Sequence, residues 1–544
     1  MSQTFGSRVY EKTWETLLKR IITCAVVVAV VVAGYVVADR IIERAKSCAD
    51  GVTESGDECI GVNGSGYDWG VREIGPVVDR IKEENGRLGK TYVTVAMMLP
   101  LQPESKAEKQ QLRSELQGAY AAQYRANREE GAPKVRLVLA NPGKDYEKQD
   151  EVVPDLVDMA HSEHRLRAVT GFNLSLVATR TAIRDLTRQN VPVLVARASA
   201  GSLANEDGEE RAFKGLARIL PTNEDQARAL ADYNGSRRND RTVVVRDIRP
   251  DPYVRSLADA FQELERTETG PAGPDTMTFT SPGIAEEGDV DNQFRPTVDT
   301  ICSSGADTVY FAGRSTHLRL FLKRLAQDRC EDTRFTVVSG SDAASLNNKM
   351  SDDDWAQLLD DSGGPKMTVQ YAAPAHPDAW RTEVRRWQDA EKDERTGRRP
   401  DAAKAPGYLR DPLNELARLE KALKATEIGP VDLADSRTMM VHDGVRTAVE
   451  AVRGAKLPGE AAPTTEQVGN RWATMQAKNR VDGTSGRICL TPAGNPYNKP
   501  LAVVKLRPGE KAGLGRLGFV GLAWPLERKQ SEDCVVRGTR EPAS

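Results

Sequence analysis

The chain has 544 residues, of which 28% are charged and 39% apolar, and its formal net charge is −3. That near balance excludes the strongly basic surface of a nucleic-acid-binding protein, and the length exceeds what one hydrophobic core holds, so two lobes are expected. Enzyme signatures do not help: no GxxxxGK[ST], HExxH, GxSxG or GxGxxG stands at a strand–helix junction.

The first element is Ile21–Ala38, IITCAVVVAVVVAGYVVA, the one long apolar stretch. Its 18 residues, at about 1.5 Å each, make roughly 27 Å of helix, close to the roughly 30 Å hydrocarbon core of a bilayer. A single uncleaved span is predicted. A cleaved signal peptide is the alternative, but VADRIIERAK offers no small-x-small site. Flanking charge orients the span weakly, with Arg8, Lys12, Lys19 and Arg20 before it and Arg40, Arg44 and Lys46 after it.

Cysteine usage orients it better. Cys24 lies in the span and six cysteines follow, an even number that suits an oxidising compartment. They fall into three sequence-local couples, Cys48/Cys59, Cys302/Cys330 and Cys489/Cys534, which are the expected disulfides. Unpaired thiols or a metal site are the alternatives; no CxxC is present and histidine is scarce, which weighs against zinc. Met1–Arg20 is therefore expected in the cytoplasm and the mass beyond Asp39 outside, on a Gly-, Ser-, Asp- and Glu-rich stalk with a short helix over 39–86.

Alternation begins at Thr91. TYVTVAMM reads as a buried strand, and the segment from Glu104 carries Leu112, Leu116, Ala119, Tyr120 and Tyr124 at helical spacing. VRLVLAN, LRAVTGF and PVLVA are the next strands, separated by the helices DEVVPDLVDMA and SLVATRTAIRDLTRQ. After Tyr233 the pattern restarts: TVVVRDI, DPYVRSLADAFQELE, TMTFTSP, FRPTVDTICSSG, ADTVYFAG, STHLRLFLKRLAQ and RFTVVSGSD supply strand and helix in turn. Such alternation predicts parallel, doubly wound sheets, so the fold class is α/β with two Rossmann-like lobes. Near the C-terminus YNKPLAVVKLRPGEKAG reads as a hairpin. The charged segment Arg381–Arg399 reads as a solvent-exposed helix, and His161 and His164 as surface residues that share a helix face.

From about Thr91 to Leu522 the motifs, in order, resemble the type I periplasmic binding proteins, in particular the branched-chain amino-acid (Leu/Ile/Val) substrate-binding branch of ABC transporters. VTVAMMLPL resembles the opening strand, AVTGF with Ser175 the first ligand loop, and VPVLVARASA the second. ILPTNEDQARALADY resembles the crossing into lobe two, VVVRDIRPDPYVRSLADAF its first βα unit, and VSGSD a loop with an acidic ligand residue. SRTMMVHDGVRTAVEAVR and DGTSGRICLTPAGNP complete the series. The resemblance implies lobe one at 87–222 and 375–480, lobe two at 223–374 and 481–525, and a tail at 526–544.

It also implies a site. Ser175 and Ser199, with Arg197 and Ala198, would take a ligand carboxylate from lobe one; Tyr253, Arg314 and Asp342 would face them as aromatic wall, cation and counter-ion to an ammonium. For Ser175 and Asp342 the residues alone leave a helix-capping role open. Two departures stand out. Phe172, Asn173 and Leu174 intervene before Ser175, which predicts a bulkier pocket, and Arg197 and Arg314 make the cleft more positive than a zwitterion requires, so a more acidic ligand, or none, fits. The expected molecule is an extracytoplasmic solute-binding protein held to the cell membrane by one helix. It closes on an amino-acid-like solute for an ABC importer, with no cofactor, metal or nucleic acid and no enzymatic activity. A ligand sensor or interaction protein without transport is the alternative.

Overall fold

The computed structural model describes residues 47–131, 133–206, 212–235, 241–269, 275–327, 335–359, 366–393, 396–509 and 515–536. The predicted span Ile21–Ala38 and Cys330 lie outside the described residues; no helix within them is long and apolar enough to cross a membrane. Two compact units divide between Cys59 and Ile60. In the first, β1 (Ser47–Ala49) and β2 (Val52–Ser55) pair antiparallel, and the Cys48–Cys59 disulfide closes the segment.

The second unit contains two large sheets. Lobe one holds the part of β3 (Glu58–Asn63) from Ile60 onward, β4 (Val93–Met98), β5 (Val135–Asn141), β6 (Leu166–Gly171), β7 (Val193–Val195) and β8 (Leu216–Arg218), in the order β3-β5-β4-β6-β7-β8. All neighbours run parallel except β3, whose Gly61–Asn63 pairs antiparallel with β5. Lobe two holds β9 (Thr242–Asp247), β10 (Asp275–Phe279), β11 (Thr308–Ala312), β12 (Thr336–Ser339) and β13 (Thr368–Ala373) in the order β10-β9-β11-β12-β13, all parallel. Each lobe thus repeats one order, second-first-third-fourth-fifth, as a doubly wound sheet does.

Period-two alternation explains why both faces of these strands are apolar. On β11, Val309 and Phe311 enter one core with Phe294 and Phe321, whereas Tyr310 and Ala312 enter the other with Phe261 and Leu257. Helices cover both faces, and their starts carry the caps the sequence offers. Ser105 forms a reciprocal capping box with Glu108 at the start of Lys106–Ala126, and Thr222 does the same with Asp225 at Asn223–Asn234.

The chain passes between lobes near Leu220–Asn223 and Ala373–His376, and a third time near Pro500. Before that last passage, β14 (Val481–Gly483) and β15 (Gly486–Ile488) form a separate hairpin. Asp443, on the lobe-one helix Arg437–Ala455, fixes it by accepting the backbone N–H of Thr484 and of Ser485. Gly494 stays with lobe one too, its carbonyl accepting from Arg218 of β8. The return to the second sheet therefore falls at Leu501 rather than 481. From there β16 (Leu501–Pro508) and β17 (Gly515–Ala523) form the expected hairpin, antiparallel to each other and to β13. Cys489 and Cys534 are bonded to each other, and Cys302 is disulfide-bonded.

The exposed helix expected over Arg381–Arg399 covers Ala379–Ala390. It is a tie between parts of the chain: Trp380 Nε1 donates to the Thr484 carbonyl, and Arg386 to that of Val520 in β17. His161 and His164 do not share a helix face, because the helix Gln149–His161 stops at the first of them.

Candidate functional site

In a sheet of this strand order the loops diverge where the first strand is flanked by the second and third, leaving a crevice at the strand C-termini. In lobe one that point lies between β4 and β6, in lobe two between β9 and β11. The sequence supplies close approach where it is needed: Gly171, at φ +107°, ends β6 where a Cβ would stand 2.4 Å from the Met98 carbonyl oxygen of β4. The segments that follow β6, β7, β9, β11 and β12, loops or the first turns of the helices after them, carry every residue expected at the site.

In lobe one these residues hold each other. Ser175 is buried, and its hydroxyl oxygen accepts from the backbone N–H of Ser199 and of Ala200, both at 3.1 Å. It does not cap the helix Val177–Arg188, whose N-cap is Leu176. The Ala198 and Ala200 carbonyls accept from Arg218, a fully buried guanidinium that also donates to Leu220 O. Burial pushes the Arg218 pKa down to about 10. The Ser199 carbonyl accepts from Asn223 N at the first crossing.

The intervening Phe172–Leu174 does not bulk out the cleft. Phe172 turns into the lobe-one core and stacks on Tyr146 with centroids 6.3 Å apart, and Leu174 packs on the same core. Asn173 donates to the Glu115 carboxylate at 3.1 Å.

Glu115 is the residue sequence reasoning missed. Only 1% exposed, it sits on the helix Lys106–Ala126 and pairs with both Arg197 and Arg437. Burial, then the neighbouring Arg437, draws the Arg197 pKa down, while Glu115 and Asp435 oppose that. The positive charge expected from Arg197 is thus matched inside the protein. Arg437 reaches this place because its helix packs closely on Lys106–Ala126; a Cβ on Gly118 would stand 2.3 Å from the Thr438 carbonyl oxygen. A signal existed: Glu115 falls on the stripe of Leu112, Leu116 and Ala119, where a carboxylate demands a buried partner.

In lobe two Arg314 is likewise matched. Its Nε and Nη2 donate to the two oxygens of Asp251 at 2.8 and 2.9 Å, and it lies over the Tyr253 ring, 4.6 Å from the centroid. Burial opposes its charge, but Asp251 and then Asp342 hold its pKa above the usual guanidinium range. Tyr253 is buried, and its hydroxyl accepts from Asp342 N; burial foremost raises its pKa.

Asp342 Oδ2 accepts from Ser315 N at 2.8 Å. It therefore caps the helix Ser315–Gln327 of the preceding βα unit, not the short helix that follows it. Burial would raise its pKa, but Arg314, Lys349, the Ser315 N–H and Arg437 together hold it below the ordinary carboxylate value.

Several contacts bridge the lobes. Arg437 Nη2 donates to Ser345 Oγ at 2.7 Å, Arg314 reaches the Ser175 carbonyl at 3.5 Å, and Lys144 pairs with Glu286 at 3.0 Å. Ile284 of lobe two packs against the lobe-one core. Among the described residues no group of three or more His, Cys, Asp or Glu side chains is placed to hold a metal.

No protein-family model matches the sequence, and no curated protein does. Solved structures do match. A leucine-binding protein from Thermotoga maritima is 16% identical, covers 80% of this chain and 100% of its own, and has a TM-score of 0.51. A branched-chain amino-acid transporter substrate-binding protein from Streptococcus pneumoniae, in complex with isoleucine, is 14% identical over 79% of this chain and 99% of its own, at 0.52. An ABC-transporter solute-binding protein from R. palustris, in complex with 4-hydroxybenzoate, is 13% identical over 79% of this chain and 96% of its own, at 0.53. The fold of this chain is that of a type I periplasmic binding protein.

Proposed function

We propose that the chain is an extracytoplasmic solute-binding protein, held to the cell membrane by Ile21–Ala38, that closes its lobes on a small carboxylate-bearing solute for an ABC importer. The observation that carries this reading is the pairing of two sheets of one strand order whose divergent loops come together, at Arg437–Ser345 and Arg314–Ser175. Such lobes, joined by three crossings, form a hinge and a cleft, and a solute that touches both walls stabilises the closed state by its differential affinity. The ligands in the similar structures, isoleucine and 4-hydroxybenzoate, share a carboxylate. The reading is non-enzymatic, as for those binding proteins.

A sensor or interaction protein without transport is the second reading. It is favoured by the internal use of the lobe-one donors: Ser199 N and Ala200 N go to Ser175, and Arg197 to Glu115. Thermal shift of the full chain in detergent, against amino acids and small carboxylates, tests solute binding. A ligand present at 100 times its Kd adds about 2.7 kcal/mol to the stability of the folded state. A shift together with co-purifying permease and ATPase subunits supports import; a shift without them supports the sensor, and no shift at millimolar concentration removes the solute-binding reading.

A further inference from the structure

The loop after β12 runs into a 3-10 turn, Ser341–Ser345, and a short helix, Leu346–Lys349. Residues three apart align on a 3-10 turn and residues four apart on an α-helix. Asp342, Ser345 and Lys349 therefore form one stripe. It faces lobe one, because Arg437 donates to Ser345 and the helix Leu346–Lys349 lies against the helix Lys106–Ala126.

The stripe has donors to give. Among the described residues Lys349 makes one hydrogen bond, to Thr316 Oγ1 at 2.6 Å, although an ammonium carries three donors. The Ser345 oxygen receives Arg437, and its own hydroxyl hydrogen has no acceptor among the described residues. Asp342, the residue expected to meet a ligand ammonium, lies in the field of Arg314, Lys349 and Arg437. Arg314 and Arg437 are matched by Asp251 and Glu115, which leaves Lys349, on the same stripe, as the cation that already answers the Asp342 charge in place of a ligand ammonium.

We infer that the stripe is the lobe-two wall of the binding site, that Lys349 and Ser345 hold the carboxylate of the ligand there, and that the ligand carries no ammonium group. This deepens the solute-binding reading and rests on it. Lys349 supplies the charge-assisted bond and Ser345 the neutral one. Arg437 and Glu115 close the lobe-one side, and the Asp342 oxygen that has no hydrogen-bond donor among the described residues accepts from a hydroxyl if the ligand has one.

Calorimetric titration of the full chain in detergent, with pairs that differ only in the ammonium, tests this: L-leucine with 4-methylpentanoate, L-phenylalanine with 3-phenylpropanoate, and L-glutamate with glutarate. The expected result is a deaminated acid that binds at least tenfold tighter than its amino acid. Lys349→Gln weakens that acid by at least tenfold, and Lys349→Arg keeps most of the affinity, with circular dichroism unchanged in both. An amino acid that binds tighter than its acid, or an acid indifferent to Lys349→Gln, overturns the inference and leaves the solute-binding reading intact. Failure of every pair to bind at 10 mM overturns both.

Discussion

Arg437 joins the two lobes through one guanidinium: Nη2 donates to Ser345 of lobe two at 2.7 Å while Nη1 holds Glu115 of lobe one at 3.2 Å. The group that bridges the cleft is thus anchored by a buried carboxylate on its own side. Ser345→Ala leaves Nη2 without its partner, and an unmet buried donor costs about 1–3 kcal/mol. The expected outcome is a shift to longer distances between spin labels placed one on each lobe, in ligand-free protein. An unchanged distance distribution shows that other contacts set the closure.

Glu115 stands between Arg437, which is buried, and Arg197, which is nearly so. Removing one partner of a buried ion pair typically costs about 3–5 kcal/mol, because the surviving charges stay desolvated. Glu115→Ala is expected to destabilise lobe one by that amount, and Glu115→Gln by less, since an amide still accepts a hydrogen bond. Urea unfolding followed by amide exchange in β4–β7, which separates lobe one from lobe two, measures it.

Lys499 is fully buried beside the last passage between lobes, and among the described residues its ammonium nitrogen has the Met440 sulfur, at 3.8 Å, as its one hydrogen-bond acceptor. Burial lowers its pKa from 10.5 to about 8, with Asp443 opposing. Between those values the unfolded chain keeps a proton that the folded chain has lost, so this residue makes stability rise with pH across the window. Below about pH 8 the whole cost is present, on the order of 3 kcal/mol. Lys499→Met is therefore expected to raise stability at pH 7, with the gain fading towards pH 10.5. Chemical denaturation of both proteins at pH 7, 9 and 10.5 checks the trend.

The Cys489–Cys534 bond spans 45 residues, and both cysteines are fully buried. In the chain-entropy account a loop of that size contributes about 4 kcal/mol. Replacing both cysteines by alanine is expected to lower the unfolding midpoint without changing the far-ultraviolet spectrum. An unaffected midpoint contradicts it.

Much of this fold was legible in the sequence because both lobes bury both faces of their sheets, so strands such as VTVAMM and VRLVLAN stand out as continuous apolar runs. Disulfides 48–59 and 489–534 followed from sequence locality. The site was less legible, for a physical reason. Which polar groups are free depends on pairings between residues far apart, such as Glu115 with Arg437 and Asp251 with Arg314. Read singly, Arg197 and Arg314 look like unmatched cations and Asp342 like an open acceptor; only the folded chain shows the carboxylates that match the arginines and the helix that Asp342 caps. The course of Val481–Lys499 was hidden likewise, since short strands carry little periodicity and Asp443 holds their hairpin from far along the chain, through the backbone N–H and hydroxyl groups of Thr484 and Ser485.

The central claim, that this two-lobed chain takes one small carboxylate solute in its cleft, is tested most directly by native mass spectrometry of the full chain in detergent after incubation with a mixture of amino acids and simple carboxylic acids. The account predicts a single adduct of one solute mass per chain, identified on release as a carboxylate and lost when Lys349→Gln is combined with Ser345→Ala. A chain that keeps its bare mass at every concentration up to the millimolar range contradicts the account.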